Sequence, residues 1–278
     1  MKSEHSANSR GPTFLPTTPA EVRRLGWPGL EVILVTGDTY IDTPHIGVSV
    51  IGRVLLDAGF RVGIIAQPDT ASDTDITRLG EPELFWGVTG GCVDSMVANF
   101  TASGKRRKSD DMTPGGQNTR RPDRAVIHYS NLIRRYFKET RPVVLGGIEA
   151  SLRRISHYDA WTDAVRRSIL FDAKADILVY GMGEVTVPEL GRRLRDRAPI
   201  ESLRGICWIS REIPAPCAEF PVPDIELPPH ALAAADKDAF TRMFRAFYDN
   251  ADPLTAARLV QKQDTRYLVQ NPPAFPPS

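Results

Sequence analysis

Blocks of apolar residues separated by polar turns predict alternating strands and helices along most of the chain. Residues 32–35 are all apolar and are followed by a polar turn, which predicts a buried strand. Residues 51, 54, 55 and 58 are apolar with the spacing of one helical face, and Gly59 can end that helix. The apolar run within residues 61–67 predicts a second strand. Two buried strands joined by a helix are expected to pair in parallel through a right-handed crossover.

The same alternation continues toward residue 210. Further strands are predicted at residues 84–90, 142–148 and 175–181, and residues 206–209 fit a sixth strand. A short helix is predicted around residues 73–79. Longer helices are predicted from apolar positions 93, 96, 97 and 100, over residues 124–138, from positions 158, 161, 165 and 169, and from Thr186 onward. This order predicts a doubly wound, mostly parallel α/β sheet of five to six strands, of the flavodoxin-like kind.

The two ends of the chain differ in character from this region. Residues 1–24 are expected to form an N-terminal arm and residues 25–211 the α/β domain. Residues 212–278 are rich in proline and predict a linker and a helical extension, with helices at 231–248 and 253–262 and extended chain after them. Phe240, Met243, Phe244 and Phe247 form one helical stripe, which either packs along the flank of the domain or awaits a partner domain.

Each predicted strand of the parallel sheet ends in glycine or polar residues. Because ligand crevices in open parallel sheets lie beyond the carboxyl ends of the strands, these residues are the candidate ligand-binding site. Glycines there let a ligand approach the backbone closely, although tight turns require glycine in any such fold. The candidate residues are Thr36, Gly37, Asp38, Thr89, Gly90, Gly91, Gly146, Gly147, Glu149, Gly181, Gly183 and Glu184.

Composition narrows the class of protein. The chain has 35 basic and 34 acidic residues, a formal net charge of +1. This charge is too small to attract a nucleic acid or an anionic membrane by its electrostatic field. No apolar run is long enough to predict a membrane-spanning helix. Three cysteines without CxxC spacing indicate reduced thiols and therefore a cytoplasmic location.

Common cofactor motifs are absent, and one basic segment has no assigned role. The sequence contains no GxxxxGK[ST], and the glycines at 181 and 183 do not continue into GxGxxG. His45 follows Asp42 with spacing that does not match the DxHxxG motif of cobalamin-binding domains. Residues 101–124 carry clustered arginines and lysines without periodicity, which fits a solvated mobile loop, a phosphate contact or an acidic protein face.

Five sequence segments together resemble the N-terminal region of YgiQ-type (UPF0313) radical SAM proteins. They are VTGDTYIDTPHIG, GFRVGIIAQPD, GKRRKSDDMTPGG with RPDRA, LGGIEASLRRISHYDAWTDAVRRSILFDAKADILVYGMGE, and DTRYLVQNPPA. The resemblance spans about residues 14–273. It implies a cobalamin-binding-like, Rossmann-like α/β domain without the cobalamin histidine motif, placed before a radical SAM barrel. For the full-length family it implies a [4Fe–4S] cluster, held by CxxxCxxC, and S-adenosylmethionine.

The sequence departs from the full family pattern because it has no CxxxCxxC. Its cysteines, Cys92, Cys207 and Cys217, are far apart in sequence, whereas such a cluster needs three closely spaced thiolates. We therefore expect that this chain alone binds no cofactor and no metal and contains no catalytic residue. We expect its partner to be a radical SAM barrel domain, in cis in the family and in trans if the chain is a split or truncated product. The resemblance also favours this barrel, rather than the flank of the domain, as the surface on which the stripe of residues 240–247 docks.

Two functions from different classes follow. The first is an N-terminal accessory domain of a radical SAM enzyme of unknown substrate. The alternative is a stand-alone α/β module that binds a nucleotide-like or anionic ligand at the carboxyl edge of the sheet. RNA binding through the basic segment 101–124 is a third and weaker hypothesis.

Overall fold

The computed structural model describes residues 14–276, in which nine strands form one large sheet and two more form a separate hairpin. The strands are β1 Val32–Thr36, β2 Val62–Ala66, β3 Phe85–Thr89, β4 Val143–Gly146, β5 His157–Asp159, β6 Ala164–Arg166, β7 Ile177–Val179, β8 Ile206–Ser210, β9 Ile225–Leu227, β10 Leu259–Gln263 and β11 Arg266–Gln270. The helices are α1 Pro19–Arg24, α2 Gly47–Asp57, α3 Thr74–Thr77, α4 Ser95–Asn99, α5 Ala125–Tyr136, α6 Gly147–Ser151, α7 Ile169–Ala173, α8 Thr186–Asp196, α9 His230–Ala235 and α10 Lys237–Asp249.

The strand order of the large sheet is β2-β1-β3-β4-β7-β8-β11-β10-β9. The first five strands in this order are parallel, which confirms the predicted mixed α/β fold with a mostly parallel sheet. Strand β8 is antiparallel to β7, and β11 is antiparallel to β8. Strand β11 therefore runs in the same direction as β7 and ends at the same edge of the sheet.

The sheet is larger than the predicted five to six strands because β9, β10 and β11 come from the proline-rich region. The helix predicted at residues 253–262 is wrong, since Leu259–Gln263 is a strand, and the extended chain predicted after it contains β11. Gln261 and Gln263 of β10 are fully buried, so the segment lacks the apolar face that would have predicted a strand. Their amides are satisfied by distant partners, among them Ser156 and Ser168.

The helix predicted from positions 158, 161, 165 and 169 is also wrong. Strands β5 and β6 form an antiparallel hairpin there, and Tyr158 and Trp161 are exposed rather than buried. The Asp159 carboxylate accepts hydrogen bonds from the Trp161 backbone N–H and the Thr162 hydroxyl, which closes the turn between the two strands.

The helix predicted after β3 is only the five-residue α4. Of its predicted apolar face Met96 is buried, whereas Val93 and Val97 are exposed. The exposed pair lies at the edge of the sheet that carries the candidate site, next to Asp94 at the start of α4.

The two faces of the sheet are covered unequally. Helices α2 and α8 pack on one face, against alternate residues such as Leu34, Val144 and Val179. Helices α5, α7 and α10 contribute to the core on the other face. Because α2 lies over β1 and β2 and α8 over β7 and β8, the central strands β3 and β4 are left without a helix of their own on the first face.

The apolar stripe of α10 packs along the flank of the domain. Met243 is fully buried, and Phe240 and Phe247 pack against the core, whereas Phe244 remains half exposed. The structure thus shows the flank position, and the docking on a barrel that the family resemblance favours for this stripe is wrong for Phe240, Met243 and Phe247.

Candidate functional site

A cleft of about 400 Å³ opens where the central strands end, between α2 and α8. Its floor is the uncovered part of the sheet. Leu34, Gly87 and Val144 lie side by side in register on β1, β3 and β4, and all three line the cleft. Gly87 is partly exposed although it lies in a central strand, and the Leu34 side chain occupies part of the space above it, 2.6 Å from where a Cβ at this position would lie.

A second row of residues lies two positions further along the same strands. Thr36, Thr89 and Gly146 are in register, and all three line the cleft near its mouth. The Thr36 hydroxyl accepts from the backbone N–H of Asp38 at 3.1 Å, and the Thr89 hydroxyl accepts from that of Gly91 at 3.2 Å. The floor is thus apolar in its depth and carries hydroxyl groups at its edge.

Two segments form the walls of the cleft. One is the start of α2, residues 44–51, where the N-cap residue Ile46 has no side chain that accepts from the first N–H groups of the helix. The other is the loop 181–184 with the start of α8. Gly183 allows the two walls to meet, because a Cβ at this position would lie 3.2 Å from Ile51 and from Val187.

The structure brings nine of the twelve predicted site residues to this one cleft. Those that line it are Thr36, Asp38, Thr89, Gly91, Gly146, Gly147, Gly181, Gly183 and Glu184. Gly37, Gly90 and Glu149 lie beside the cleft without lining it. Ligand binding by any of these residues is a prediction.

Gly37 and Gly90 allow the loops after β1 and β3 to pack against their neighbours. A Cβ on Gly37 would overlap the Gly90 carbonyl, and a Cβ on Gly90 would overlap the Glu149 carboxylate. That carboxylate accepts from the backbone N–H groups of Ser95 at 2.9 Å and Val126 at 3.1 Å, and burial raises its pKa. These three residues hold the framework of the cleft together.

Segment 101–124 is anchored to this framework by Arg121. The Arg121 side chain is fully buried and pairs with Asp38 at 2.7 Å and Asp110 at 3.3 Å. It also donates to the Gly90 carbonyl at 2.7 Å. The expectation that this segment is a solvated mobile loop is therefore wrong for its second half, since a charge buried this deeply needs fixed partners.

Several lining residues were not predicted as part of the site. His45 and Cys92 stand at the mouth, and Gly87 lies on the floor. A glycine inside a predicted strand often marks a close approach, so Gly87 carried a signal in the sequence. Cys92 directly follows the predicted site residue Gly91, which is the signal that could have found it, and its backbone N–H donates to the Asp38 carboxylate at 2.6 Å.

Two acidic side chains, Asp38 and Glu184, line the cleft, whereas no lysine or arginine of residues 14–276 does. The Asp38 carboxylate is matched by Arg121, but the Glu184 carboxylate forms no ion pair with another described residue. One oxygen of Glu184 is buried and has no hydrogen-bond partner within the described residues.

Exposed apolar side chains surround the cleft mouth on this edge of the sheet. Ile148 and Met182 line the mouth itself and are exposed. A smaller pocket of about 220 Å³ lies between α6 and the β5–β6 hairpin, with Leu152 and Trp161 in its lining. Leu152 is 62% exposed and Trp161 is 42% exposed, so apolar surface continues from the cleft mouth to this pocket.

The last described residues also lie at this edge. After β11 the chain passes the start of α8, where the Gly205 N–H donates to the Pro272 carbonyl and Ala274 lies near Gly205. In the same part of the molecule Arg204 donates to the Pro273 carbonyl.

Comparison with known proteins decides the family. The profile of the family described as "Radical SAM N-terminal" matches residues 14–278. The chain belongs to the radical SAM N-terminal family. The family predicted from the sequence is thereby confirmed.

Curated relatives of this radical SAM N-terminal chain are UPF0313 proteins. One from Fusobacterium nucleatum is 53% identical over 262 residues, which cover 94% of this chain and 45% of the relative. One from Thermotoga neapolitana is 53% identical over 266 residues, which cover 95% and 46%. One from Methanocella arvoryzae is 49% identical over 262 residues, which cover 93% and 43%. The chain thus spans about half the length of the curated relatives it matches.

Among solved structures, two of the radical S-adenosylmethionine methyltransferase TsrM from Kitasatospora setae are similar to this domain at 19% identity. One contains tryptophan substrate and a SAM analog, with a TM-score of 0.43 over 64% of this chain and 28% of that one. The other contains cobalamin and a [4Fe–4S] cluster, with a TM-score of 0.44 over 65% and 27%.

The cysteines of this chain do not fit an iron–sulfur cluster. Cys207 is fully buried, and burial raises its pKa to about 12, whereas Cys92 is exposed at the cleft mouth. The part of the chain that the structure describes contains no group of three His, Cys, Asp or Glu side chains placed to hold a metal ion. Within residues 14–276 no helix combines the length and the apolar character needed to cross a membrane.

Proposed function

We propose that this chain is the N-terminal accessory domain of a radical SAM enzyme and that its carboxyl edge packs against the radical SAM barrel of the same polypeptide. In this proposal the barrel carries the [4Fe–4S] cluster and S-adenosylmethionine, because the cysteines here do not fit a cluster. The accessory domain contributes the cleft as one wall of a chamber for a small molecule. The family membership and the roughly doubled length of the relatives support this assignment.

The observation that carries the proposal is the apolar edge around the cleft mouth. Ile148 and Met182 line the cleft mouth, Leu152 and Trp161 line the smaller pocket, and all four side chains are exposed. Clustered exposure of this kind is typical of a surface that is covered by another domain. Because the cleft opens in the middle of this surface, a domain docked there would close the cleft from above.

The course of the chain supports the same arrangement. Strand β11 ends at the carboxyl edge, and residues 271–274 pass beside the start of α8 and the cleft wall. Residues 271–274 therefore lie beside the surface on which we place the barrel.

The second candidate function is a stand-alone module that binds a small molecule. It is favoured by one observation, namely that floor, walls and mouth of the cleft are all supplied by this chain. In that case the apolar edge would remain exposed and the chain would bind its ligand without a barrel.

The two candidate functions differ in whether this chain associates in solution with the C-terminal half of a relative. The C-terminal half of the Thermotoga neapolitana relative can be produced separately and titrated by calorimetry with the 278-residue chain. We expect binding, and we expect Leu152→Glu and Trp161→Glu to weaken it at least about tenfold, since each places a charge in an apolar interface. Leu254→Glu is the matched control, because Leu254 is 79% exposed in the loop before β10.

Two results would contradict the accessory-domain proposal. One is the absence of association between the two halves. The other is association that Leu152→Glu and Trp161→Glu weaken no more than the Leu254→Glu control does.

A further inference from the structure

The basic first half of segment 101–124 has an ordered backbone. Two antiparallel bridges flank its run of cations, one between Phe100 and Arg106 and one between Ser109 and Gln117. Backbone hydrogen bonds of 2.8 and 3.1 Å join the run to the chain on both sides. The four basic residues at 105–108 are therefore presented from a fixed backbone.

The side chains of residues 105–108 carry positive charge that is largely unmatched. All four are exposed, and residues 95–109 contain no acidic residue. Within the described residues only Arg106 of the four forms an ion pair, with Asp123 at 3.1 Å. The small net charge of the whole chain does not cancel this local charge, because charges more than about 8 Å apart are largely screened at physiological ionic strength.

Acidic side chains of neighbouring elements do not neutralise the run either. Asp94, Asp110 and Asp159 each form an ion pair with an arginine outside it. Asp111 is exposed, but the exposed Arg120 of the same segment carries the opposite charge. The run is thus a fixed cationic surface at the edge of the domain.

An aromatic stack joins this cationic surface to the β5–β6 hairpin. The Arg106 guanidinium lies 5.2 Å from the centre of the Phe100 ring, which lies 5.1 Å from the centre of the Trp161 ring. In the same hairpin Tyr158 is 55% exposed, and its hydroxyl donates to Asp163 at 2.6 Å, which holds the ring in place. Both Trp161 and Tyr158 line the smaller pocket.

From these observations we infer that the surface formed by residues 105–108 and Tyr158 binds a single-stranded nucleic acid. The cations contact the phosphates, and a base stacks on the Tyr158 ring, which is the combination that single-strand binding requires. A duplex keeps its bases stacked inside and an acidic polypeptide has none, so neither would use the ring. This function goes beyond the accessory role, because it assigns a ligand to the surface beside the one on which we place the barrel.

Three labelled probes of similar charge test the inference by fluorescence anisotropy with the 278-residue chain. They are an oligothymidylate of about twelve nucleotides, an abasic oligomer of the same length and an oligoglutamate of matched charge. We expect the oligothymidylate to bind at least about fivefold more tightly than the other two, since stacking on one ring contributes that much. Tyr158→Ser should bring it down to the affinity of the abasic oligomer.

The dependence of binding on salt tests the role of the cations. With three phosphate contacts, oligothymidylate binding should weaken about twentyfold between about 50 and 200 mM salt. Lys105→Gln combined with Lys108→Gln should weaken binding about tenfold at the lower salt concentration and should reduce the salt dependence. Arg23→Gln combined with Arg24→Gln is the matched control, because it removes two exposed charges from α1 and should leave the affinity unchanged.

Three results would overturn the inference. They are absence of oligothymidylate binding at micromolar concentrations, a loss in the lysine variant no larger than in the α1 control, and abasic oligomer or oligoglutamate binding as tight as that of oligothymidylate. The last result would indicate an acidic partner instead. All substituted side chains are exposed, so the variants are expected to fold. The barrel docking test uses other residues and a second polypeptide, so its outcome is independent.

Discussion

Replacing Arg121 by methionine tests whether segment 101–124 is anchored at the cleft. Methionine keeps most of the side-chain volume but removes the charge. Asp38 and Asp110 then lose their partner at 2.7 and 3.3 Å, and the Gly90 carbonyl loses a donor at 2.7 Å. Since Arg121 and Asp38 are both inaccessible to water, neither the carboxylate nor the carbonyl can be resolvated without opening the loop.

The expected loss follows from the burial of the pair. Breaking a buried ion pair by removing one partner costs about 3–5 kcal/mol in free energy of unfolding, because a charge is left buried without a partner. Arg106→Met provides the matched control from the same segment. Arg106 pairs with Asp123 at 3.1 Å, but both side chains are about half exposed, so the expected loss is about 0–1 kcal/mol.

Urea unfolding followed by tryptophan fluorescence and far-ultraviolet circular dichroism measures both values. With an m-value near the upper end of about 1–3 kcal/mol/M, the midpoint of Arg121→Met should fall by more than about 1 M, whereas that of Arg106→Met should hardly move. Arg121→Lys keeps the charge but loses the planar fork, so its urea midpoint is expected between those of Arg121→Met and Arg106→Met. It replaces the methionine variant if that variant fails to fold. Equal midpoints for the Arg121 and Arg106 variants would refute the anchoring role of Arg121.

Two further predictions concern the framework of the cleft. Gly37→Ala should lower the free energy of unfolding by about 1–3 kcal/mol, because its Cβ overlaps the Gly90 carbonyl. Gly146→Ala is the control and should change it by less than about 0.5 kcal/mol, because a Cβ there meets only the Val179 carbonyl at 3.9 Å. Equal urea midpoints for the two variants would contradict this prediction. The Nδ1 atom of His230 lies 2.9 Å from the Ser156 hydroxyl, and burial lowers the pKa of this histidine. Its contribution to stability is therefore complete above about pH 6.5, the pKa of histidine in the unfolded chain. That contribution is lost as the pH falls, because the unfolded chain takes up the proton more readily than the folded one. The difference in free energy of unfolding between the unmodified chain and His230→Gln should therefore shrink between pH 7.5 and 5.5, and a difference that grows would show the opposite pKa shift.

The sequence by itself determined the first half of the sheet and most of the candidate site. The strand–helix–strand unit β1-α2-β2 follows from apolar periodicity and from turn residues, both of which act within a few residues of the chain. The glycine and polar residues after β1, β3, β4 and β7 were recognisable for the same reason. Parallel pairing then brings these strand ends to one edge, so nine of the twelve predicted residues line one cleft.

Only the tertiary structure decided the features that depend on distant partners. Strand β10 could not be predicted, because its buried glutamines become stable only through contacts with residues such as Ser156 and Ser168, about a hundred positions away. Arginine is usually found at the surface, but Arg121 is buried in this fold because Asp38 and Asp110 neutralise its charge. The floor of the cleft is open at Gly87 because the crossover helices of β3 and β4 pass on the other face of the sheet, and no local pattern specifies that choice.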